Sequence, residues 1–461
     1  VHSNSFDLVY RKLGIYEFGE LLLAHGITLK SNILIKGEGL EIKDEDILTN
    51  SSMAVRLTES CKVHAVSAEN TPLIWDVEYG KGKIMVFNGT MLLDKVNRGI
   101  FTGAISILID NFVYPVINSK IFYIDDFPCP SPEQIDPGIY KDYRRNIANF
   151  YKEIWWPDIR KSAYEYDLKL TTLIIENYND IVEPPFTDDD ESSRKNLIVY
   201  GRELLKCGSE LGIHGYNHQS LAEDNDYGYN RWANEENMVL SLNEVIRFCK
   251  DVFPQYKFAT YVPPSNVLSP TGRKALLKGM PDLKSICSIY TDDNDTYKYI
   301  QEFEVAEDGI VEFPRITTGY EKDEGKDWSI YNGITSLGIF SHFIHPDDVT
   351  DVERNNNKNW ATLYKELCTM LKEVDDNFGW LRSMTASEGV TAFENYYYQK
   401  PLVEYEADRV NIYCDNFTGG NNCYILRSDK KIIKNINCES KEIDTGVYLI
   451  HSQNPNFSIE F

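Results

Sequence analysis

Histidines and carboxylates of a kind that suits metal chemistry follow two apolar runs of the sequence. His214 and His218 form an H-x-x-x-H pattern directly after one run, and Asp125 and Asp126 follow the other. Buried carboxylates are costly unless they are paired or bind a metal ion. Two imidazoles and one carboxylate on an open face make a three-ligand catalytic site, with positions left for water and substrate. The pattern predicts a divalent metal centre, with zinc favoured over other ions.

A third apolar run carries His342 and ends in His345. These residues are three apart on a predicted strand, so their side chains point to opposite faces and only one faces the site. We favour His345, with Asp347 as its orienting partner, and expect the other histidine to be a hydrogen-bonded structural residue. A histidine opposite a metal ion can protonate a leaving amine, while a carboxylate takes a proton from metal-bound water. The predicted chemistry is amide hydrolysis.

These groups require strands that end at one common face. Between residues 119 and 398 the sequence alternates apolar runs with helical periodicity, as in Asn234–Val252 and Trp360–Phe378. The predicted strands are 120–127, 168–178, 211–215, 258–263, 285–291, 311–317, 338–345 and 381–385. Such alternation favours an α/β barrel or a doubly wound sheet, and both folds place their active sites at the carboxyl ends of the strands.

At these motifs the sequence resembles the polysaccharide deacetylases of carbohydrate esterase family four. Tyr123-Ile124-Asp125-Asp126 is similar to the first family motif, T-[FY]-D-D, and His214-Gly215-Tyr216-Asn217-His218 to the second, H-[ST]-x-x-H. Tyr261-Val262-Pro263-Pro264-Ser265-Asn266 is similar to the third, F-R-P-P-[YW]-G, and the strand ending at His345 to L-x-H. The branch it resembles contains the Pel-type and galactosaminoglycan deacetylases, in which the barrel is coupled to an amidotransferase-like domain.

The resemblance implies a fold, a set of roles and partners. The fold is α/β, a distorted (β/α)7-type deacetylase barrel. Asp125 is the general base, Asp126, His214 and His218 hold the metal ion, and His345 is the acid. The substrate is an N-acetylhexosamine polysaccharide, and exopolysaccharide export or synthesis machinery is a further implied partner. The implied location is extracellular or in the cell envelope.

The sequence departs from the family pattern at three places. Ile124 departs from the first motif, and the tryptophan-containing fourth motif is not evident. The third-motif arginine, which steadies the base in the family, falls at Val262. Arg315, on the predicted strand Phe313–Thr317, either supplies this guanidinium from another strand or makes a plain surface ion pair.

Four residues near the motifs are predicted to contact substrate: Tyr216, Trp232, Pro263 and Asn266. Three long, acidic and aromatic loops are expected on the site face, at 183–196, 223–232 and 320–331. Further candidates for stacking on sugar rings are Tyr229, Trp328 and Tyr331, because aromatic rings with a polar edge suit sugar surfaces.

Three domains are predicted. Residues 1–118 resemble part of a non-catalytic amidotransferase-like α/β domain, with a hairpin signal at Gly80-Lys81-Gly82 and a buried helix expected within 100–117. Residues 119–398 form the deacetylase barrel, and residues 399–461 form a small all-β domain. The chain begins at Val1 without an export signal, so we expect the natural protein to be longer, with its first domain incomplete here.

The composition of the chain limits the classes of molecule that it is expected to bind. With 47 Lys and Arg against 71 Asp and Glu, the formal net charge is −24, which disfavours nucleic acid and anionic membrane surfaces. The nine cysteines include no C-x-x-C pair, so cysteine zinc sites are not expected. The three nearest the carboxyl terminus can hold one disulfide, and most of the others lie in apolar periodic runs and are expected to be small buried residues.

Three functions compete for this sequence. The first is metal-dependent N-deacetylation of a GlcNAc or GalNAc polymer, which yields a partly deacetylated, cationic product. The second is a carbohydrate-binding or scaffold protein built on an inactive barrel, which the missing third-motif arginine supports. The third is a glycoside hydrolase, but the adjacent Asp125 and Asp126 point to opposite faces of a strand and cannot supply facing carboxylates.

Overall fold

The computed structural model of the protein divides into two compact units. The central unit comprises residues 119–322 and 340–394, and the terminal unit contains residues 323–339 together with both ends of the chain. Parts of the loops predicted at 183–196 and 223–232 lie outside the described residues. The structure describes residues 9–45, 47–187, 191–224, 229–291 and 297–461.

A ten-stranded sheet forms the core of the described central unit. Its strands, from one edge to the other, are Glu304–Val305, Val311–Glu312, Ser285–Ile286, Thr260–Tyr261, Glu210–Ile213, Leu170–Ile174, Ser119–Ile124, Ile339–Ile344 and Thr317–Thr318, and Arg382–Ser383 also pairs with Ser119–Ile124. The four longest strands are buried along their whole length, as parallel strands covered by helices are. The predicted mixed α/β fold is confirmed in this form.

The segment 311–318 pairs on both of its sides, which curls the sheet. The Arg315 backbone N–H donates to the Ser288 carbonyl at 2.8 Å, and the Ile316 N–H donates to the Ser341 carbonyl at 3.0 Å. One segment therefore contacts strands from both ends of the sheet. The result is a curled half-barrel, which turns the carboxyl ends of its strands toward one another.

Helices follow most of these strands. They span Pro137–Tyr143, Ile147–Phe150, Trp156–Glu165, Glu191–Lys206, Glu235–Val252, Pro270–Gly279, Val352–Asn355, Trp360–Phe378 and Ala386–Tyr398, with a π-helical turn at Tyr151–Trp155 and 3-10 turns at Pro264–Asn266 and Pro346–Val349. The two helices predicted from periodicity are confirmed within one residue. Their N-caps, Asn234 and Asn359, each accept a backbone N–H three residues on, which satisfies an otherwise unpaired donor.

The terminal unit contains four sheets in its described part. The first sheet pairs Ile15–His25 with Thr49–Leu57, and the second has the strand order Glu41–Ile42, Ile27–Leu29, Lys62–Val66, Pro72–Tyr79, Gly82–Phe87. The third sheet has the strand order Glu439–Asp444, Val447–Ser452, Asn422–Arg427, Phe112–Val116. The fourth sheet has the strand order Pro401–Tyr405, Arg409–Cys414, Asn456–Glu460, Lys434–Ile436. The predicted Gly-Lys-Gly hairpin is confirmed, since Tyr79 pairs with Gly82. The unit also holds 3-10 turns at Met91–Leu93 and Lys95–Asn97 and helices Arg98–Leu108 and Glu324–Leu337.

Some sequence predictions need correction here. The expected helix within 100–117 ends at Leu108, and Phe112–Val116 is a strand that pairs with Asn422–Arg427. The predicted loop at 320–331 becomes helix Glu324–Leu337, whose N-cap Asp323 accepts the Lys326 N–H. The terminal unit thus combines residues of the predicted first and third domains with residues 323–339, which were predicted to belong to the barrel. The division into three domains stays a prediction.

Two further observations concern the whole described chain. All nine cysteines are free thiols, so the disulfide considered for the last three cysteines does not form in this structure. Among the described helices, none combines the length and apolar character that crossing a membrane requires.

Candidate metal centre

The predicted site residues leave the sheet at the carboxyl ends of neighbouring strands. The backbone N–H of Asp125 still donates to the Ile344 carbonyl at 3.0 Å, and that of His214 donates to the Ile174 carbonyl at 2.8 Å. Both residues are therefore at the last rung of pairing between strands. This position brings side chains from several strands to one edge of the curled sheet.

Asp126, His214 and His218 each offer one ligand atom, and these three atoms lie within 4.8 Å of one another. The distances from Asp126 Oδ1 are 3.6 Å to His214 Nε2 and 3.8 Å to His218 Nε2. These separations are too long for hydrogen bonds but suit three ligands around one ion. Among the described residues, this is the group that can hold a metal ion.

The hydrogen bonding of these residues fits a metal ion. The Nδ1 atom of His214 lies 2.8 Å from the Val262 carbonyl, which makes Nδ1 the donor and leaves Nε2 as a free lone pair. Within the described residues, buried His214 Nε2 and Asp126 Oδ1 have no hydrogen-bond partner. Buried polar atoms are normally satisfied, so a ligand at this point would remove a real cost.

Burial shifts the pKa values of two of the three candidate metal ligands. It lowers the pKa of His214 to about 3, against the attraction of Asp125. It raises the pKa of Asp126 to about 6, against the attraction of His218. The imidazole of His214 is thus neutral at pH 7, as a metal ligand must be.

Backbone conformation also marks this edge of the sheet. Asp126 and His218 have φ values of 55° and 60°, and Ser265 and Asn266 have values of 51° and 60°. Non-glycine residues rarely adopt this left-handed conformation, and such residues cluster at functional sites. Here the conformation turns the chain sharply after each strand. Both metal-ligand candidates at turns, Asp126 and His218, share it.

Arg315 holds Asp125 from a different strand. Its Nη1 atom donates to Asp125 Oδ2 at 2.5 Å and its Nη2 atom to Asn266 Oδ1 at 2.5 Å. The guanidinium carbon lies 3.7 Å from the centroid of the Phe343 ring. Burial acts to raise the pKa of Asp125, but the attraction of Arg315, followed by that of two histidines, outweighs burial and lowers it. Asp125 is therefore a carboxylate, as a general base must be.

His345 also lies close to Asp125. Its Nε2 atom is 3.5 Å from Asp125 Oδ2, and its Nδ1 atom is 3.3 Å from Asp348 Oδ1. Burial opposes protonation, but the attraction of Asp348, with further attraction from the two site aspartates, raises the pKa of His345 to about 10. The imidazole is protonated at neutral pH, which suits a general acid.

The carboxylate that contacts His345 is not the one expected from the sequence. Asp347, the expected orienting residue, pairs with Arg354 at 2.7 Å, whereas Asp348 contacts His345 through both its ring and its backbone N–H. Asp348 rather than Asp347 contacts His345 because Asp348 is the third residue of the 3-10 turn for which His345 is the N-cap. An acidic residue at this third position can reach back to the backbone N–H of the N-cap residue, as Asp348 does to His345.

His342 is not part of this cluster. Its ring is fully buried, and its nitrogens lie 2.8 Å from Thr317 Oγ1 and 2.9 Å from the Gly319 carbonyl. Both nitrogens are thus engaged by the sheet. These bonds suit the structural role that the sequence analysis gave to whichever of His342 and His345 is not the acid.

Comparisons with known proteins identify the family. Residues 25–449 match the family DUF2194, described as an uncharacterised protein conserved in bacteria. The chain belongs to this family. No curated protein matches the sequence of this DUF2194 member significantly.

Three solved structures resemble this DUF2194 member distantly, each at 12% identity. A CE4 family pseudoenzyme from Bacillus anthracis aligns over 60% of this chain and 66% of its own, with a TM-score of 0.32. A putative polysaccharide deacetylase involved in O-antigen biosynthesis, from Bordetella bronchiseptica, aligns over 60% and 90%, with a TM-score of 0.28. A 4-alpha-glucanotransferase from Thermococcus litoralis aligns over 59% and 39%, with a TM-score of 0.33. Such TM-scores carry no functional conclusion.

The predicted substrate contacts of the DUF2194 chain are only partly near the centre. Asn266 holds Arg315, but Tyr216 and Trp232 are 2% and 1% exposed, and Trp232 Nε1 donates to the Ser220 carbonyl. Pro263 is buried as well. These buried side chains cannot offer a face to a sugar, so their expected role is corrected to packing.

Two other aromatic residues lie close to His218 in this DUF2194 structure. Tyr229 hydrogen-bonds Ser265, and its ring centroid is 6.4 Å from that of His218. Tyr178 is 47% exposed and also lies 6.4 Å from the His218 ring. The sequence analysis missed Tyr178, although it closes the predicted strand 168–178. Trp328 is buried in the terminal unit, where it donates to Asn97, and Tyr331 packs on the same core.

Proposed function

We propose that this protein hydrolyses N-acetyl groups of a GlcNAc or GalNAc exopolysaccharide in a metal-dependent reaction. The supporting observation is that a three-ligand metal group, an arginine-held carboxylate and a carboxylate-held histidine occupy one sheet edge. The finer proposals are a distorted (β/α)7-type deacetylase barrel of the Pel-type branch, with an amidotransferase-like domain, acting outside the cell or in its envelope. The curled parallel sheet is compatible with that barrel.

Asp126, His214 and His218 would hold the ion, with zinc the favoured metal for two imidazoles and a carboxylate. When bound, the ion would polarise the acetyl carbonyl and lower the pKa of a coordinated water. The chain supplies the proton transfers. Val262 contributes by fixing the tautomer of His214 through its carbonyl.

Asp125 acts as general base. Arg315 occupies Oδ2, while buried Oδ1 has no hydrogen-bond partner in the described chain and is available for the proton of the attacking water. The water oxygen bonds to the carbonyl carbon as Asp125 takes that proton. Arg315 thereby orients the base and keeps it ionised until the transfer.

His345 acts as general acid. It starts as an imidazolium and gives its Nε2 proton to the amide nitrogen as the C–N bond breaks. Asp348 remains at Nδ1 and holds the ring in place. The first products are acetic acid and a free amine, and transfer of the acid proton to the amine through solvent gives acetate and the cationic polymer. Asp125 then releases its proton and His345 regains one, which restores the starting state.

The alternative of an inactive sugar-binding scaffold rested on Val262 at the third-motif arginine position. The geometry weakens that reading, because Arg315 brings a guanidinium to Asp125 from elsewhere in the sheet. A glycoside hydrolase is not favoured by any contact in the described site. Deacetylation is therefore the function we propose.

Acetate and new reducing ends should be measured together on GlcNAc and GalNAc oligomers. Metal-loaded protein should release acetate without new reducing ends. A chelator should abolish release and added zinc should restore it. Binding of oligomers without acetate would favour the scaffold, and reducing ends without acetate would favour a glycoside hydrolase.

A further inference from the structure

A hydrogen-bonded chain of three chemically active side chains lies in the terminal unit and shares no residue with the metal centre. Ser31 Oγ is 2.7 Å from His64 Nδ1, and His64 Nε2 is 2.7 Å from Asp76 Oδ2. A hydroxyl, an imidazole and a carboxylate in this order are the nucleophile, the base and the orienting group of a serine hydrolase.

Three neighbouring strands of the five-stranded sheet bring these residues together. His64 lies on the middle strand, Asp76 lies on the strand to one side, and Ser31 follows the strand on the other side. The Lys30 backbone N–H donates to the His64 carbonyl at 2.7 Å, which holds the backbone before Ser31 against the middle strand. The arrangement therefore depends on strand pairing rather than on a local sequence motif.

The hydrogen bonds define where the protons are. A carboxylate only accepts, so His64 Nε2 donates to Asp76 and Nδ1 keeps a lone pair for the Ser31 hydroxyl. Burial lowers the pKa of His64, although the hydrogen bond to Asp76 opposes this shift. The imidazole is thus neutral at pH 7 and can take the proton of the hydroxyl.

Solvent reaches the serine end of this chain of side chains. Ser31 is half-buried, whereas His64 is fully buried and Asp76 is 7% exposed. A substrate can therefore contact the hydroxyl, while the imidazole and the carboxylate are shielded from water. Hydrogen bonds are electrostatically stronger in such a shielded place than in water.

The bend that carries Ser31 is fixed by other elements of the terminal unit. Arg427 donates from Nη1 to Asn32 Oδ1 at 2.9 Å and from Nη2 to the Asn32 carbonyl at 2.8 Å. The Ile35 N–H donates to Thr335 Oγ1 at 3.0 Å. A nucleophile held in this way needs little reorganisation before it reacts.

Backbone donors for a developing negative charge follow Ser31 in the chain. Within the described residues, the N–H groups of Asn32 and Ile33 have no hydrogen-bond acceptor, although Ile33 is fully buried. Unpaired buried N–H groups are rare in native structures. The N–H group after a nucleophile commonly belongs to the oxyanion hole of an acyl-transfer site.

We infer that Ser31, His64 and Asp76 form a second hydrolytic site, which cleaves a carboxylic ester without a metal ion. Ser31 Oγ bonds to the ester carbonyl carbon as its proton moves to His64 Nδ1. His64 gives that proton to the alcohol oxygen as the C–O bond breaks, which leaves an acyl-serine. Water then attacks the acyl carbon, its proton passes through His64 to Ser31 Oγ, and the carboxylic acid leaves.

A fluorophosphonate probe tests this site, because its phosphorus bonds to an activated serine oxygen as fluoride leaves. Chelator-treated protein should be labelled at Ser31, as shown by mass spectrometry of the labelled peptide, and Ser31→Ala should lose this label. Ser336→Ala is the matched control, because Ser336 is a half-buried serine of the same unit whose hydroxyl donates to the Asn332 carbonyl. This control should be labelled at the wild-type rate.

Asp76→Asn tests the orienting group in the same assay. It should lower the rate of labelling at Ser31 by at least about 100-fold, because an amide does not hold the His64 tautomer that leaves Nδ1 free. Circular dichroism shows whether the variant is folded. Wild-type protein without a label on Ser31, or a folded Asp76→Asn variant labelled at the wild-type rate, would overturn the inference. Labelling of metal-free protein makes either result independent of the proposed deacetylation.

Discussion

Arg315 connects the base to the rest of the site. It bridges Asp125 and Asn266 with two nitrogen atoms of one guanidinium and stacks on Phe343. The hydrogen bond to Asn266 fixes the guanidinium, the hydrogen bond to Asp125 orients the carboxylate, and the positive charge keeps the carboxylate ionised although it is buried. A lysine carries the charge but not the planar fork.

Arg315→Lys should therefore lower kcat/KM without removing the metal ion. Loss of one charge-assisted hydrogen bond predicts a decrease of about 10- to 100-fold. Acetate release and zinc content should be measured on the same samples. Arg247→Lys, which changes an arginine that pairs with Glu244 and Asp251 on helix Glu235–Val252, is the matched control. Full activity in Arg315→Lys would show that Asp125 does not need the clamp.

The charge state of His345 makes a second residue-scale prediction. Asp348 is the strongest attraction that raises the pKa of this imidazole to about 10, and the acid must be protonated to act. Asp348→Asn removes that attraction, so the pKa falls and the alkaline limb of the kcat/KM profile moves to lower pH. Asp348 and Asp351 both pair with Arg354, at 2.7 and 2.8 Å, so Asp351→Asn is the matched control and should leave the limb in place. An unmoved limb in Asp348→Asn would argue against His345 as the acid.

The sequence predicted the site residues that belong to a recognisable motif, but it could not predict contacts and burial that depend on side-chain packing. Asp125, Asp126, His214 and His218 could be placed together because each follows an apolar strand. The link from Arg315 to Asp125 is 190 residues long, so sequence alone left it open. Tyr216 and Trp232 looked like sugar contacts, but their rings fill the core, and composition cannot separate a buried aromatic residue from an exposed one.

At the scale of elements, a buried carboxylate fastens a helix to the amino-terminal end of the sheet. Glu210, on strand Glu210–Ile213, accepts from the hydroxyls of Thr260 and Ser387 at 2.7 and 2.6 Å and from the Ser387 N–H at 2.8 Å. Ser387 lies in the first turn of helix Ala386–Tyr398, where backbone donors lack partners within the helix. This cluster is at the opposite strand ends from the metal centre.

Glu210→Ala should lower the free energy of unfolding by about 2 to 4 kcal/mol, because three donors lose their acceptor in a buried place. Denaturant unfolding of the zinc-loaded protein measures this value. Glu304→Ala, at an exposed strand position of the same sheet, should change it by less than about 0.5 kcal/mol. An equal loss in the free energy of unfolding in the two variants would show that the hydrogen bonds of Glu210 do not stabilise the fold.

The sequence predicted which segments are helices and strands better than it predicted the structural unit to which each segment belongs. The buried strands and the long helices Glu235–Val252 and Trp360–Phe378 have clear periodicity and strong caps. Helix Glu324–Leu337 was missed because its amino-terminal half is charged and resembles a loop. Its place in the terminal unit depends on packing of Trp328 against a core formed mainly by residues before 105, which no local pattern reveals.

At the scale of the whole molecule, the formal net charge of −24 bears on the product. Deacetylation converts neutral amide units into ammonium groups, so the product polymer is attracted to an acidic protein while the substrate is not. Salt screens such attraction over about 8–10 Å near physiological ionic strength. The charge therefore predicts different salt dependence for substrate and product.

Raising the salt concentration should weaken binding of a partly deacetylated oligomer more than binding of the fully acetylated oligomer of equal length. Calorimetry with the Asp125→Asn variant, which should not turn over either ligand, measures both affinities. Parallel salt dependence of the two oligomers would show that the net charge does not act on the product.

The most direct test of the central claim compares Asp125→Asn with Asp126→Asn for acetate release and zinc content in the same preparations. Asp125 is proposed to move a proton and Asp126 to hold the ion. We predict that Asp125→Asn keeps its zinc and loses at least about 100-fold in acetate release, as expected for a general base. Asp126→Asn should lose zinc and activity together. Acetate release by zinc-loaded Asp125→Asn at the wild-type rate would contradict the account.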